Sequence, residues 1–510
     1  MTDKHKQGKV IMVQGTASSA GKSILVTALC RIFKQDGYRV APFKSQNMSL
    51  NSFVTREGGE MGRAQVVQAE AAGIEPTVDM NPILLKPEAD SKSQVIVMGK
   101  VMDTLAAKRY YTYRDELLTI VSGALDRLRS AYDIVVIEGA GSAAEINLKD
   151  REIVNMRIAK LANSPVLLVG DIDRGGIFAS LIGTVDLLEP DERRLVKGMV
   201  VNKFRGDISL FEDGIRFIEA KTAVPVLGVV PYFRDIAIAQ EDSVYLDERQ
   251  ASAGDIDIAI VSLPHISNYD DFDPLEREGC RVRYIASVKE IGTPHLIIIP
   301  GSKGTISDLD FLQKKGIAEA IKRLASGGTP VLGICGGYQM LGKRIEDPHR
   351  VESTDGAADG LNLLNVVTVF GQAKTTTQVK GTVTAGAGVL SNAAGKEFTG
   401  YEIHMGETIE SSEESPFTIL ETPGNRSGYR DGAINTTGTV LGTYIHGLFN
   451  SDSFRAGFLD SLRRYHRLPL PAVYNREEKD KEYDKLADHV RNSLDMKLLY
   501  RILDEGGAGK

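Results

Sequence analysis

The chain has 510 residues, with 61 Lys and Arg against 68 Asp and Glu for a formal charge of −7; at about 100–200 residues per domain, that length calls for two to four domains. Hydrophobic residues make up 42% and charged residues 25%, which excludes collagen-like, disordered and disulfide-scaffold classes, and the near-neutral balance excludes the basic footprint of a nucleic-acid binder. Three cysteines without CxxC spacing (Cys30, Cys280, Cys335), a polar stretch at 1–9 and no apolar run of about 18 residues point to a cytoplasmic chain with no membrane partner, disulfide framework or thiolate zinc site.

In chain order, strands are expected at residues 10–14, 40–43, 95–98, 134–137, 166–169, 199–202 and 226–230, with helices at 22–35, 114–132 and 210–220 among those between them. Gly37 stands where a left-handed residue closes a helix. Such alternation implies a doubly wound, mostly parallel sheet with helices on both faces. The polar stretch 241–255 reads as a linker. A second α/β series follows, with strands at 256–263, 296–300 and 331–334 and a helix ending near Ser326. Beyond about Glu352 short β-rich segments take over, ending in a strand at 440–445, and 453–503 reads as helical before a Gly-rich tail. The expected organisation is a first α/β domain over 1–240, a linker over 241–255, a second over 256–452 and a C-terminal helical segment over 453–510.

Gly15-Thr-Ala-Ser-Ser-Ala-Gly21-Lys22-Ser23 lies between a strand and a helix. A glycine turn there aims backbone N–H groups at a phosphate, and the helix N-terminus favours negative charge. Lys22 would then reach the β- and γ-phosphates of ATP, and the Ser23 hydroxyl would ligate Mg²⁺. Five residues separate the glycines, one more than the usual pattern, which narrows the assignment to one P-loop subgroup. Later strands end in residues suited to the same ligand, as a doubly wound sheet requires. Glu138 is placed to hold Mg²⁺. Asp171, Asp173 and Arg174, in Asp171-Ile-Asp-Arg-Gly-Gly176, could serve metal, phosphate or substrate, against the alternative that an Asp caps the next helix. Asn202 could read the adenine edge, and Lys44 could meet phosphate or a substrate carboxylate.

In the second series, Pro330-Val-Leu-Gly-Ile-Cys335-Gly336-Gly-Tyr-Gln339 carries a strand straight into a glycine pair and a helix. That pattern presents a thiol on a sharp turn at a helix N-terminus, where the dipole favours thiolate. Cys30, on the apolar face of the first helix, fits a structural cysteine instead. A thiolate nucleophile needs a base. His446 follows a strand and precedes a glycine, and His404 is a second candidate that could instead order the site. The loop at Gly301, with the N–H of Gly336, could form an oxyanion hole.

These residues carry a resemblance. The GxCGG turn with a later His resembles the class I glutamine amidotransferases. Joined to the longer P-loop, it is similar to the cobyrinic and cobyric acid synthases, whose synthetase half is similar to dethiobiotin synthetase. Phe43-Lys-Ser-Gln-Asn-Met-Ser-Leu-Asn-Ser-Phe-Val-Thr55, Gly62-Arg-Ala-Gln-Val-Val-Gln-Ala-Glu70, Met80-Asn-Pro-Ile-Leu-Leu-Lys-Pro87, Asp171–Gly176 and Tyr401–Gly406 resemble the cobyric acid synthases in particular. That resemblance implies ATP- and L-glutamine-dependent amidation, at positions b, d, e and g, of adenosylcobyrinic a,c-diamide. It also implies Cys335 as glutaminase nucleophile, His446 as its base, and Gln339 with Gly301 and Gly336 around the glutamine. Triad enzymes usually place a Glu two residues after the His; here Leu448 stands there, which implies a Cys–His dyad or a substitute carboxylate. Two rival readings are a cobyrinic acid a,c-diamide synthase and a ParA/MinD-type ATPase switch. The switch proteins carry a signature lysine where this chain has Ala17.

Overall fold

The computed structural model describes residues 7–89, 92–233, 238, 254–353, 356–410, 413–424, 428–471 and 479–507. It divides into two units, one made of Met1–Ser49, Met61–Asp242 and Glu477–Lys510, the other of Leu50–Glu60 and Ser243–Arg476. Most of the expected linker, at 241–253, lies outside the described residues. No helix among the described residues is long and apolar enough to cross a membrane.

The first unit is built on a six-stranded sheet in the spatial order Val226–Pro231, Val196–Phe204, Val166–Asp171, Lys9–Gly15, Ile134–Glu138, Val40–Phe43. Every neighbouring pair is parallel. The central strands are buried along nearly their whole length, as helices on both faces demand. Their C-terminal ends at Gly15, Glu138, Asp171 and Asn202 meet at one edge of the sheet, where a doubly wound fold places its ligand. Helix Lys22–Gln35 follows the first strand, and Gly37 takes the expected left-handed φ of 89°.

One expected strand belongs elsewhere. Residues 95–98 fall largely within Lys92–Val97, which joins a separate four-stranded sheet with Gln46–Met48, Ile83–Ala89 and Lys100–Ala106. Met98 and Gly99 both have positive φ (48° and 77°), the geometry of a tight hairpin turn, so the strand folds back on its neighbour instead of crossing over.

The C-terminal helices also divide. Asp452–Tyr465 stays with the second unit, while Lys479–Ser493 and Met496–Glu505 complete the first. Tyr483, Leu486, Ala487 and Val490 join the core around Lys22–Gln35. At about 1.5–3 kcal/mol for each large side chain fully buried, they outweigh the Arg31 ion pairs to Asp480 and Asp484, whose acidic ends are exposed and contribute about 0–1 kcal/mol each.

The second unit holds a six-stranded sheet ordered Arg281–Ile285, Asp257–Val261, Leu296–Ile299, Val331–Ile334, Val440–Thr443, Ala433–Ile434, parallel except for the last strand. The β-rich region beyond Glu352 forms a second sheet around the long antiparallel pair Val366–Val383 and Glu397–Glu410. Ile445–His446 pairs with Tyr401 and Glu402 of that sheet, directly after a strand of the first. His446 thus stands where the two sheets meet.

Candidate functional site

In the first unit the P-loop wraps its own lysine. Lys22 Nζ donates to the carbonyls of Ala17 (3.0 Å) and Gly141 (2.9 Å). Gly21 has φ 98°, and a Cβ there would lie 2.0 Å from Asn202 Nδ2, so both conformation and space require glycine. Ser23 Oγ donates to Glu138 Oε1 at 2.8 Å, and Lys44 Nζ meets the same oxygen at 2.9 Å. Gln68 Nε2 donates to the other carboxylate oxygen. Burial pushes the Glu138 carboxyl up, but the Lys44 ammonium and the Gln68 and Ser23 donors outweigh it and hold the group below the usual carboxylate range.

These side chains fit a Mg²⁺–nucleotide. Ser23 and Glu138 offer hard oxygens side by side, and Gln68 Oε1 is buried beside them without a hydrogen bond. Mg²⁺ takes one or two protein oxygens and completes its shell with phosphates and water, so a cage of three acidic or imidazole ligands is not needed. None occurs among the described residues.

The remaining expected residues sit around this cluster. Asn202 Nδ2 donates to the Ala20 carbonyl at 2.9 Å, steadying the loop from a strand two places along the sheet. Asp171 is tied to the same loop through Lys203, whose Nζ reaches Asp171 Oδ2 (2.9 Å) and the Ser19 carbonyl (2.8 Å). Asp173 pairs with Arg205 at 2.6 Å, and Arg174 is exposed. Neither aspartate caps the following helix, since Gly176, at φ 73°, occupies that position without a side-chain bond.

In the second unit Cys335 has φ 50° and ψ −110°, a sparsely populated conformation for any residue but glycine. Such a backbone costs about 1–3 kcal/mol and persists only where its surroundings over-determine it. Here the Cys335 N–H donates to Thr443 O at 2.8 Å and its carbonyl accepts from Gln339 N at 3.1 Å. The thiol faces the Ile403 carbonyl at 3.3 Å, and His446 is the side chain that does most to favour its thiolate.

His446 Nδ1 lies 2.7 Å from Asp271 Oδ2, and Asp271 Oδ1 accepts the Gly447 N–H at 2.7 Å. With Nδ1 committed to the carboxylate, Nε2 is left for the thiol. Burial works against charge on both partners. Even so, Asp271 raises His446 to about 10, and the imidazolium draws the Cys335 thiol below its ordinary value. The favoured state is therefore a thiolate–imidazolium pair.

Asp271 is the carboxylate that sequence reasoning missed. It sits 175 residues before His446, in the turn Tyr269–Phe272, where no spacing rule looks. The acidic pair Asp270-Asp271 shortly after a strand was the available signal. The His404 ring stacks on Tyr444 at 4.0 Å and its Nδ1 bonds the Gly406 carbonyl at 2.7 Å.

Gly301 and Gly336 belong to neighbouring loops, since a Cβ on Gly336 would touch Ser302 N at 3.0 Å. A brace absent from the sequence reading holds the first of them. Ser302 Oγ donates to Asp308 (2.6 Å), whose other oxygen meets His265 Nδ1 (2.7 Å). Gln339 is fixed between the Tyr444 and Thr305 hydroxyls, both at 3.3 Å. By contrast, burial raises Cys30 far above, and Cys280 up to about 12, so neither supplies a thiolate.

Comparison with known proteins matches each half of the chain to its own family. Residues 11–244 match the family described as "CobQ/CobB/MinD/ParA nucleotide binding domain", and residues 257–454 the "CobB/CobQ-like glutamine amidotransferase domain". Over 500 residues, 98% of this chain and 99% of the relative, it is 61% identical to a protein named cobyric acid synthase from Dehalococcoides mccartyi (strain CBDB1). The protein of that name from Sorangium cellulosum (strain So ce56) is 54% identical over 513 residues, 97% of this chain and 98% of the relative.

Proposed function

Because the chain belongs to the cobyric acid synthase family, an ATP-dependent amidoligase joined to a glutaminase, we propose that it amidates the b, d, e and g side-chain carboxylates of adenosylcobyrinic a,c-diamide with ammonia drawn from L-glutamine. The observation that carries the reading is the Cys335–His446–Asp271 line in a chain that also holds the Ser23–Glu138–Lys22 cluster.

In the glutaminase half, the Cys335 thiolate attacks the carboxamide carbon of glutamine, and the N–H groups of the two glycine loops face the developing oxyanion. Imidazolium His446 gives its proton to the leaving nitrogen, releasing ammonia and a glutamyl thioester. His446 then takes a proton from water, and hydrolysis returns glutamate and the thiolate. In the synthetase half, a corrinoid carboxylate oxygen attacks the γ-phosphorus of ATP and ADP leaves. Lys22 neutralises charge on the transferring group, with Ser23 and Glu138 on the Mg²⁺ side; the metal, when bound, withdraws charge from the phosphates. Ammonia attacks the acyl phosphate and phosphate leaves, giving the amide.

Mass spectrometry of the corrinoid incubated with ATP and glutamine tests the acceptor and the count: four successive amidations are expected, and a product stopping at two from cobyrinic acid would favour the a,c-diamide synthase. Cys335→Ala is expected to end glutamine use while ammonium salts still support amidation. Equal loss with both nitrogen sources overturns the two-site reading.

A further inference from the structure

The geometry points to Leu50–Glu60 as a positioning element of the glutaminase centre, holding the His446 ring through Tyr401 and through the turn that carries Asp271. The inference rests on the glutaminase reading above. The segment lies inside the stretch matched by the nucleotide-binding family, 11–244, yet it belongs to the second unit.

Its contacts converge on one backbone carbonyl. Ser52 O accepts from Asn268 Nδ2 at 2.7 Å and from the Tyr401 hydroxyl at 3.3 Å, and Asn268 Nδ2 also meets that hydroxyl at 2.9 Å. Asn268 has a left-handed φ of 52° and opens the Tyr269–Phe272 turn, where its carbonyl accepts the Asp271 N–H at 3.1 Å. Asn51 Oδ1 accepts the Tyr269 N–H in the same turn. Tyr401 stacks on the His446 ring, centroids 5.5 Å apart and planes within 18°. One carbonyl therefore fixes both supports of the imidazole: the turn that carries its carboxylate and the ring on its face.

The segment also backs the nucleophile. Phe53 packs edge-on against Tyr401 at 5.1 Å, and Val54 closes a buried cluster with Tyr401 and Ile403, whose carbonyl faces the Cys335 thiol. Three ties keep it seated on the strand Val366–Val383: Gln378 Nε2 to Val54 O (2.9 Å), Thr376 Oγ1 to Gly58 O (2.9 Å) and a buried Lys374–Glu60 ion pair. Tyr401 and Asn268 act through His446 and Asp271, so they are positioning residues. An error of about 1 Å in a base costs on the order of 100-fold in rate.

The test uses the full chain. Tyr401→Phe keeps the stacked ring and removes the hydroxyl; Asn268→Gly keeps the left-handed backbone accessible and removes the amide. Each is expected to lower kcat for glutamine hydrolysis by about 10-fold and leave KM within about twofold. Alkylation of Cys335 by iodoacetamide slows, and ammonium-supported amidation keeps its wild-type rate. Wild-type kcat in both variants overturns the inference, as does a matching loss of ammonium-supported amidation, which marks general unfolding. A wild-type protein that hydrolyses no glutamine overturns the glutaminase reading itself, before any variant is compared.

Discussion

Asp271 meets His446 and the neighbouring Gly447 N–H with its two oxygens, so an amide in its place keeps only one acceptor. In Asp271→Asn the amide N–H₂ turned toward Nδ1 makes that nitrogen an acceptor, so the neutral ring carries its proton on Nε2, which can then no longer take the proton of the thiol. Glutaminase kcat is expected to fall by at least about 100-fold, with ammonium-supported amidation unchanged, in steady-state assays with each nitrogen source. A loss under about threefold would return the site to a Cys–His dyad. The same electrostatics set a pH window. His446 lowers the Cys335 thiol, so the acid limb of glutaminase kcat/KM falls below the ordinary thiol value of 9.0. As pH drops through the thiol's own value the nucleophile is protonated and activity is lost. At the alkaline end His446, raised to about 10, gives up its proton and activity falls again. An acid limb at or above 9.0 in the pH–rate profile would contradict the ion pair.

At the next scale, the nucleophile turn depends on how closely a helix approaches a strand. A Cβ on Gly337 would lie 1.9 Å from the Ile299 carbonyl, and one on Gly333, in another strand, would lie 2.6 Å from the Gly337 carbonyl. Helix Gly336–Leu341 cannot back away, because Tyr338 fills the space over Gly442. Gly337→Ala is therefore expected to destabilise the second unit by about 2–4 kcal/mol, read as a lowered urea midpoint for glutaminase loss, with no shift in the midpoint for nucleotide binding. Much at this scale was legible beforehand. Helix Lys22–Gln35, strands Val40–Phe43 and Val331–Ile334 and the Cys335 turn lie where periodicity and glycine spacing put them. Residues 95–98 were not legible, because a buried apolar run looks alike in a parallel core and in a hairpin. What decided it was the positive φ at Met98, a residue type that does not advertise it. Asp271 was illegible for a different reason: its partnership joins a turn and a strand from distant parts of the chain, and spacing rules see only neighbours.

The whole chain passes between its two units four times, after Ser49, Glu60, Asp242 and Arg476. A linear division at the linker misses both short returns, since tertiary burial and not composition assigns them: Leu50–Glu60 lies amid sequence that reads as nucleotide-binding, and 477–510 follows a complete amidotransferase pattern. This interleaving has a consequence for separation of the halves. Residues 243–476 expressed alone would lack the Ser52 carbonyl beneath Asn268 and Tyr401, the Val54 carbonyl bound by Gln378, and the Glu60 carboxylate facing a Lys374 ammonium that is only 10% exposed. Removing one member of a buried ion pair is costly. The fragment is accordingly expected to hydrolyse glutamine at least about 10-fold more slowly than the full chain carrying Lys22→Ala, which disables only the nucleotide loop. A peptide of residues 50–60 should recover part of the difference at about millimolar concentration, the effective concentration that a short covalent connection supplies. A fragment as active as the full-length variant would show that the segment contributes nothing to the glutaminase centre.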